Sequence, residues 1–512
     1  MSAPKYLIDT NVFIGLEDSQ EVRPEFASLV QLASRHGVGV FIHEAARDDI
    51  ARDPDIARRR ISLSKAAKFQ IIAKVRGLTK DQLEAEFGRL PRPNDVVDAT
   101  LLHAIKLGVA DFLVTEDRGL HDRARHYVPH LARRILYVAD ALLLLRSTYE
   151  PLNVPLPFVE ETDAHTIPVT DPIFDSLREG YPEFDIWWAE KCVKALRKCW
   201  IVLDDDKLSG IVVRKDETAA DTDARTSAKK ILKLCTFKVR PERRGIKLGE
   251  LLLKQALWFA QSNQYELVYL TTFQAQSTLI DLLEYYGFRC TYTRANGELV
   301  YEKTLSRNAL QPAPGQSLFD AARLNYPRFS AGDAVEAYGI PIKEPFHEVL
   351  FPELADRSQP DLFEFSGIAS APKTPGNTIR KLYLCRAQAW IEQPGALLFF
   401  YKGKSRRPPS QTITTVGVFE DMELAHSIEE LRRLAGGRSV YSERQLSEWG
   451  ASAERPVKVI NFLLAGHISP PISLAEMQRD RVLLGHPPQS IFRIPRSRLG
   501  PLLKRLNFGF KV

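Results

Sequence analysis

The sequence predicts a multidomain α/β protein with a parallel-sheet domain, a mixed α/β domain and a small β-barrel-like domain in that order. The first observation is the length of 512 residues, since one hydrophobic core seldom organises more than about 300 residues. The second is an alternation of strand and helix patterns in the first part, and the third is a preponderance of strand patterns near the end. We place the domains at residues 1–150, 160–306 and 340–512.

The composition is that of a folded protein, with 44% apolar and 26% charged residues. A net charge of +6 is mild for this length and permits a nucleic-acid partner without requiring one. The five cysteines form no CxxC pair, which favours buried free thiols in a reducing cytosol. No signal-peptide core or membrane-spanning stretch is evident, so we expect a soluble cytoplasmic protein with no membrane partner.

Carboxylates follow the strands of the first domain, whose predicted ranges are Lys5–Ile8, Val38–Ile42 and Phe112–Thr115. Asp9 and Asp117 lie just beyond two of these strands, and Asp98 lies near the start of a helical pattern. Strand ends on one side of a parallel sheet share a rim, so the three acids can converge there. Such acids repel one another unless a divalent cation neutralises them. Mg²⁺ or Mn²⁺ suits all-oxygen ligands and activates water for attack on a phosphodiester.

This arrangement resembles the PIN-domain ribonucleases, which include toxins of bacterial toxin–antitoxin modules. The resemblance implies that Asp9, Asp98 and Asp117 are catalytic and bind the metal, and that an antitoxin protein is a partner. It implies a further catalytic acid at Asp49, for which Asp48 and Glu44 are alternatives. A lone Asp is more often a helix cap or a surface charge, so the prediction depends on the acids being taken together.

The middle domain contains a strand over 231–239, a turn marked by Pro241, a basic loop and an apolar helix over 248–262. A loop that enters a helix in this way points several free N–H groups at one spot, and the helix dipole adds positive potential. The segment therefore predicts a phosphate or diphosphate site. Arg243 and Arg244 strengthen that preference.

The same segment resembles the acyl-CoA loop of the GNAT acetyltransferases, whose pattern is Arg/Gln-x-x-Gly-x-Gly/Ala. Arg244 and Gly249 match the ends of the pattern, and Lys247 replaces the middle glycine. The segments 265–272 and 274–288 resemble the strand and helix that close this fold. The resemblance implies acetyl-CoA as the cofactor, bound by Thr236, Phe237, Lys238, Val239, Arg244, Gly245, Ile246, Lys247, Leu248 and Gly249.

The resemblance also implies direct attack of an amine on the acetyl thioester, with backbone N–H groups near 236–239 polarising the carbonyl. Many GNAT members carry a general-acid tyrosine at the position that Leu283 occupies here. Tyr286 is the candidate replacement and Tyr285 the alternative, while an ordinary packing role for both remains open. Glu284 and the acids at 204–206 are candidate bases on composition only.

The last domain has predicted strands at 382–385, 396–401 and 412–419, with a Pro-Gly turn before the second. It resembles PUA-like barrels of the ASCH or EVE kind, which implies binding of RNA or modified bases. Aromatic and basic residues that could stack on bases and contact phosphates are Trp390, Tyr401, Tyr441, Trp449, Lys402, Lys404, Arg406 and Arg407. A plain β-core with a solvated loop is the alternative.

Taken together, these features favour an acetyl-CoA-dependent N-acetyltransferase joined to a Mg²⁺-dependent ribonuclease-like domain. Acetylation of an RNA-linked amine such as aminoacyl-tRNA would unite the parts, as in a toxin. Two alternatives stay open. One is a metal-dependent endoribonuclease with a regulatory or inactive acetyltransferase domain, and the other is a module that binds CoA and RNA without turnover.

Overall fold

The computed structural model describes residues 4–14, 24–51, 54–72, 78–149, 159–204, 207–240, 248–354, 378–405, 409–435, 441 and 443–512. The chain divides into two compact units. The first unit contains residues 1–152, 426–437 and 442–453, and the second contains 153–425, 438–441 and 454–512. The predicted second domain and most of the predicted third domain thus belong to the second unit. Most of the predicted linker at 149–159 lies outside the described residues.

The first unit is built on a five-stranded sheet of order β3-β2-β1-β4-β5. All four neighbouring pairs are parallel, which confirms the predicted parallel sheet. The strands are β1 Lys5–Ile8, β2 Gly39–His43, β3 Gln70–Ile72, β4 Phe112–Val114 and β5 Ile135–Leu136. The apolar run of β1 is buried on both faces, as expected for a central parallel strand covered by helices.

Helices cover both faces of this sheet and form two separate apolar clusters with it. The helices are α1 Thr10–Ile14, α2 Pro24–Arg35, α3 Glu44–Ala51, α4 Ile56–Ala66, α5 Lys80–Phe87, α6 Pro93–Lys106, α7 Arg118–Tyr127 and α8 Val138–Tyr149. Two later helices, α15 Ile428–Ala435 and α16 Glu443–Trp449, also belong to the first unit.

The second unit contains a seven-stranded mixed sheet of order β11-β12-β10-β9-β8-β7-β6. Only β9 and β10 run parallel, and every other neighbouring pair is antiparallel. The strands are β6 Glu160–Asp163, β7 Lys198–Asp204, β8 Lys207–Glu217, β9 Ile231–Val239, β10 Leu267–Thr272, β11 Arg289–Thr293 and β12 Leu299–Thr304. The accompanying helices are α9 Asp175–Gly180, α10 Phe184–Trp187, α11 Leu248–Ser262 and α12 Ser277–Tyr285.

The same unit contains a six-stranded sheet of order β14-β17-β16-β15-β13-β18. Its strands are β13 Ala337–Ile342, β14 Arg380–Cys385, β15 Leu397–Lys402, β16 Thr412–Ala425, β17 Val457–Ser473 and β18 Phe492–Arg493. Its helices are α13 Leu318–Leu324, α14 Glu344–Leu350, α17 Leu474–Arg479 and α18 Arg496–Leu503. Three register shifts interrupt the pairing of the long strands β16 and β17, and bulges of this kind bend a sheet.

Among the described residues, no helix combines the length and the hydropathy needed to cross a bilayer. The five cysteines are free, as predicted. Cys192, Cys199 and Cys385 are buried, whereas Cys290 is exposed on the edge strand β11 and so corrects the expectation that all the thiols are buried.

Candidate active sites

A β-bulge in β9 shapes the first candidate site. Thr236 pairs with Val213 and Leu234 pairs with Arg214, so Cys235 is an extra residue on β9. The bulge shifts the alternation of side chains, because Leu234 and then Phe237 pack into the same apolar cluster as α11. A bulge of this kind bends its strand and redirects the backbone groups that follow.

Immediately after the bulge, β9 and β10 part. Their parallel pairing ends at Leu234 and Leu270, although β9 runs on to Val239 and β10 to Thr272. On its other side β9 stays paired with β8 as far as Val239. A wedge-shaped opening therefore lies between the two parallel strands. Residues 236–239 of β9, which the sequence predicts as cofactor contacts, border this opening on the side away from β8.

The helix α11 begins close to the end of β9. Leu248 is its first residue and is buried, and Gly249 lies beside Phe237 and Leu282. The predicted phosphate contacts Arg244, Gly245, Ile246 and Lys247 lie outside the described residues. The described part of the turn thus consists of a strand end and a helix start, which are the two elements that a diphosphate site requires.

Cations near the end of β9 have partners within the fold. The Lys238 ammonium contacts the Ser176 hydroxyl, and Arg240 donates to Asp171 Oδ1 at 2.8 Å. Arg240 also donates its backbone N–H to the Ser209 carbonyl at 2.9 Å. Arg240 therefore anchors the end of the strand.

The residues considered for general acid catalysis lie in the core. Leu283 is fully buried, and Tyr286 is 1% exposed. The Tyr286 hydroxyl donates to Glu250 Oε1 at 2.8 Å, and burial raises the pKa of this phenol well above its ordinary value. Tyr285 is half-buried between the guanidinium groups of Arg323 and Arg380. A buried phenol that already donates to a carboxylate fits a packing role better than the acid role predicted for Tyr286.

A polar group that the sequence did not reveal lies on the sheet face opposite α11. Tyr181 donates to the buried Glu298 carboxylate, and its ring packs on Phe273 just after β10. Arg294 and Asn296 also donate to Glu298, at 2.9 and 3.0 Å. Tyr181 lies 117 residues from Glu298, so no local sequence pattern links these two residues.

The second candidate site lies in the first unit, where β1 and β4 end. Asp9 is 4% exposed and accepts hydrogen bonds from Asn11 Nδ2 at 2.8 Å and Thr115 Oγ1 at 2.7 Å. Burial is the main cause that raises the pKa of Asp9 to about 6, and the charge of Asp117 adds to it. Burial, then the charges of Asp9 and Asp117, raises the pKa of Asp98 to about 8.

Three of the four predicted acids thus lie in or beside three different elements, and the charges of Asp9 and Asp117 both act on Asp98. Asp117 also caps α7, because its Oδ1 accepts from the backbone of Gly119 at 2.6 Å. Asp49 is half-buried on α3, which packs against the helix that carries Asp98. Within the described ranges, no three His, Cys, Asp or Glu side chains are close enough together to hold a metal ion. An all-oxygen, negatively charged pair such as Asp9 and Asp98 still suits Mg²⁺, which commonly takes one or two carboxylates and keeps several waters.

The C-terminal residues predicted to stack on bases fall into two groups. Tyr401 and Tyr441 are 1% and 4% exposed, and Lys402 is buried beside Glu344 and Glu348. Tyr401 and Lys402 belong to the core because β15 is buried along its whole length, and Tyr441 is buried as well. Exposed positions include Trp390, whose ring lies 5.0 Å from the Lys458 ammonium, and Lys404. Trp449 is half-buried, and Arg406 and Arg407 lie outside the described residues.

Residues 162–288 match the model of the acetyltransferase (GNAT) family. This segment contains the parted strands and the start of α11. It is a GNAT acetyltransferase domain. No curated protein matches the chain significantly.

Solved structures resemble separate parts of the chain. One is the ASCH protein of Zymomonas mobilis, with 14% identity over 33% of this chain and 94% of that one, at a TM-score of 0.23. Another is the PaiA N-acetyltransferase of Thermoplasma acidophilum in complex with coenzyme A, with 16% identity over 29% and 99% of the two chains and a TM-score of 0.23. A third is NAA60 of Arabidopsis thaliana in complex with a bisubstrate analogue, with 13% identity over 29% and 100% and a TM-score of 0.23.

Within the acetyltransferase domain, the sequence identified the strand and the helix that border the opening, with their bounds. It missed the bulge at Cys235 and the role of Glu250. The register shift is a sequence signal for the bulge, since apolar residues change from even to odd positions between Leu234 and Phe237.

Proposed function

We propose that the protein is an acetyl-CoA-dependent N-acetyltransferase whose cofactor enters the opening between β9 and β10. The parting of these two parallel strands at Leu234 and Leu270 is the observation that carries the proposal. It exposes amide groups of β9 beside the start of a 15-residue helix. The diphosphate would lie against the first turn of α11 and the loop residues Arg244 to Gly249.

The chemistry follows from this placement. A substrate amine attacks the thioester carbonyl carbon, a C–N bond forms, and the C–S bond breaks to release the thiolate of CoA. The β9 amides at 236–239 would donate to the carbonyl oxygen as negative charge develops there. The attacking nitrogen must first lose a proton, directly or through water. Glu284 accepts from Tyr301 at 2.8 Å and stays a candidate base with Asp204.

Calorimetric titration with acetyl-CoA tests the binding step. Loss of a charge-assisted hydrogen bond costs about 1.5–3 kcal/mol, so Arg244→Ala should weaken binding at least about tenfold. Arg289→Ala removes the same charge from an exposed position of β11 and should leave affinity unchanged. No binding by the wild-type protein, or equal losses in the two variants, would contradict the proposal.

For the acceptor we propose an RNA-linked amine, in particular the α-amino group of aminoacyl-tRNA. The proposal draws support from the exposed side chains of Trp390 and Lys404, because exposed aromatic and cationic groups suit single-stranded RNA. Incubation with labelled acetyl-CoA and charged tRNA should label the aminoacyl group. Deacylated tRNA is the control and should stay unlabelled. Toxicity in a cytoplasmic host, relieved by an antitoxin protein, would follow from such a reaction.

A second candidate function is metal-dependent cleavage of RNA by the first unit. It is favoured by the proximity of Asp9 and Asp117 to Asp98, because burial and then the charges of these two acids raise the pKa of Asp98. Asp9 and Asp98 would hold Mg²⁺ or Mn²⁺, and Asn11 and Thr115 would orient Asp9. The ion would supply an activated water for attack at phosphorus.

Cleavage of end-labelled RNA with Mn²⁺ tests this second function. Asp9→Asn should abolish cleavage, since it removes a ligand charge while it keeps the size of the side chain. Asp81→Asn makes the same change at an exposed position of α5 and should be neutral. Cleavage that survives in the Asp9 variant would assign the activity to a contaminant or to another site.

A further inference from the structure

One buried face of α11 is polar. Glu250, Lys254, Trp258 and Gln261 follow one another at intervals of four, four and three residues, which places them on one side of the helix. Lys254 and Gln261 are only 2% and 1% exposed. A polar face on an otherwise apolar helix normally meets water, so its burial requires partners that compensate for lost hydration.

Those partners come from Tyr286 and from residues beyond Leu305. Glu250 Oε1 accepts from the Arg380 backbone N–H at 2.8 Å, in addition to the bond from Tyr286. Lys254 forms an ion pair with Glu353. Trp258 Nε1 donates to the Tyr326 hydroxyl at 2.7 Å. At the far end of the helix, Gln261 Nε2 donates to the carbonyls of Gly509 and Ser306, at 2.9 and 3.1 Å.

The central ion pair is held on several sides. Burial alone would raise the pKa of Glu353, but the charges of Lys254 and Lys381 outweigh it and keep the pKa well below its usual range. His467 Nε2 lies 3.6 Å from Glu353 Oε2, and the His467 ring packs edge-on against Trp258. A buried ion pair with fixed neighbours tolerates little change of distance or angle. The link therefore sets where Lys254 lies.

The first turn of α11 contains a negative charge beside the proposed diphosphate site. Glu250 is its third residue, and a carboxylate beside a diphosphate site repels the ligand. Its contacts supply a structural reason for the charge, because Glu250 joins the Arg380 backbone to the Tyr286 hydroxyl. The Arg380 guanidinium lies close enough to affect and be affected by the Glu250 charge.

We propose that Glu353 and the Arg380 backbone complete the acetyl-CoA site from outside the GNAT domain, by holding the start of α11 through Lys254 and Glu250. This inference rests on the proposed acetyl-CoA binding. Glu353, Tyr286 and the Arg380 backbone are then positioning groups, which never touch the cofactor and set the angle at which the first-turn amides meet the diphosphate.

Electrostatics and positioning predict opposite results for Glu353→Gln. Removal of a negative charge should leave acetyl-CoA binding unchanged or make it tighter, if charge alone matters. Loss of positioning should weaken binding about fivefold to tenfold, the usual range for coupling through a packed contact. The full chain is titrated with acetyl-CoA by calorimetry, and the melting temperature is measured in parallel.

Gln261→Met is the matched control, since it breaks buried hydrogen bonds at the other end of the same helix face. It should lower the melting temperature and leave the dissociation constant within about twofold. If Glu353→Gln leaves binding unchanged or tighter, or if both variants weaken it in step with lost stability, the inference is overturned. If Glu353→Gln fails to fold, Tyr286→Phe replaces it, because that change removes one bond to Glu250 without altering any charge.

Tyr286→Phe should weaken acetyl-CoA binding about twofold to threefold, in keeping with one lost hydrogen bond near the lower end of its usual range. Unchanged affinity in that variant would count against the inference. Absence of binding by the wild-type protein would remove the proposed function and this inference together. That outcome is distinguishable, because it appears before any substitution is made.

Discussion

At the residue scale, the carboxylates of the first unit oppose folding. Asp98 is half-buried and faces the charges of Asp9 and Asp117, and like charges at close range destabilise the fold that gathers them. Functional sites commonly carry such a stability cost. Asp95, three residues before Asp98, shows the opposite arrangement, because Arg92 and Arg123 pair with it at 3.1 and 3.2 Å.

We therefore predict that Asp98→Asn stabilises the metal-free protein by about 1 kcal/mol. The amide keeps the size of the side chain and carries no charge that burial would penalise. Thermal unfolding at pH 8 in the presence of EDTA is the measurement. Asp95→Asn is the control and should destabilise, because it removes the partner of two arginines. A lower melting temperature for the Asp98 variant would show that its carboxylate is compensated by neighbours.

A second residue-scale prediction concerns Tyr286 in catalysis. If this buried phenol has a packing role, Tyr286→Phe should keep kcat for acetyl transfer to charged tRNA within about twofold. Loss of a true general acid typically costs a hundredfold or more. The pH profile of kcat should also keep its shape. A hundredfold fall in kcat would restore Tyr286 as the acid that the sequence suggested.

At the scale of elements, the sequence predicted the ends of strands and helices best where a turn residue such as proline marks them. The bounds of β9 and α11 were predicted without error, because an apolar strand, a Pro-marked turn and an apolar helix follow one another. The edge strand β6 was missed because Glu-Glu-Thr-Asp has no apolar alternation, and only pairing with β7 makes it a strand. The long strand β17 was not predicted, and one reason is that two prolines near its end argue against a strand.

Site residues, too, were predicted where the local sequence pattern determines their place in the fold. The acids of the first unit follow strands of a parallel sheet, so the fold class itself predicts that Asp9 and Asp117 share a rim. The link from Glu250 to Arg380 spans 130 residues, and no spacing within one element reveals it. Sequence reasoning therefore proposed both candidate sites and missed the contact between Glu250 and Arg380.

The capping box of α17 supports a pH prediction at this scale. Glu476 accepts from the backbone and hydroxyl of Ser473 and from Arg505, and these hydrogen bonds, led by the backbone one, lower the pKa of Glu476 to about 2. Because the folded-state pKa lies below the unfolded value of about 4.3, the stabilisation is present above that value and is lost as pH falls toward 2. Glu476→Gln should cost about 1 kcal/mol at pH 7.

Denaturant unfolding of the wild type and of the Glu476→Gln variant between pH 7 and pH 3 checks this prediction. The difference in the free energy of unfolding should shrink as the pH falls, because protonation removes in the wild type what the substitution removes in the variant. Ser405→Ala, far from this cap in the sequence, should give a difference that does not vary with pH. A difference in the free energy of unfolding that grows as the pH falls would contradict the assignment of this stabilisation to the Glu476 carboxylate.

At the scale of the whole molecule, each candidate site is built from the residues of one compact unit. The acids belong to the first unit, and the parted strands, α11 and its partners at Glu353 and Arg380 belong to the second. Residues 426–437 and 442–453 of the predicted third domain belong to the first unit, and the acetyltransferase domain shares the second unit with the C-terminal sheet. Buried partners such as Lys254 and Glu353 are the physical reason.

This organisation predicts that the two sites respond independently to substitution. Asp9→Asn should abolish Mn²⁺-dependent RNA cleavage and leave the dissociation constant of acetyl-CoA unchanged within about twofold, because each site draws its residues from a single unit and substitutions at independent sites usually have additive effects. Arg244→Ala should do the reverse, and the double variant should combine the two losses without further change. Cleavage assays and calorimetry on the wild type, the two single variants and the double variant measure both activities. A dissociation constant that changes with Asp9 would show that the units exchange free energy, and the protein would then be an acetyltransferase regulated by its ribonuclease-like part.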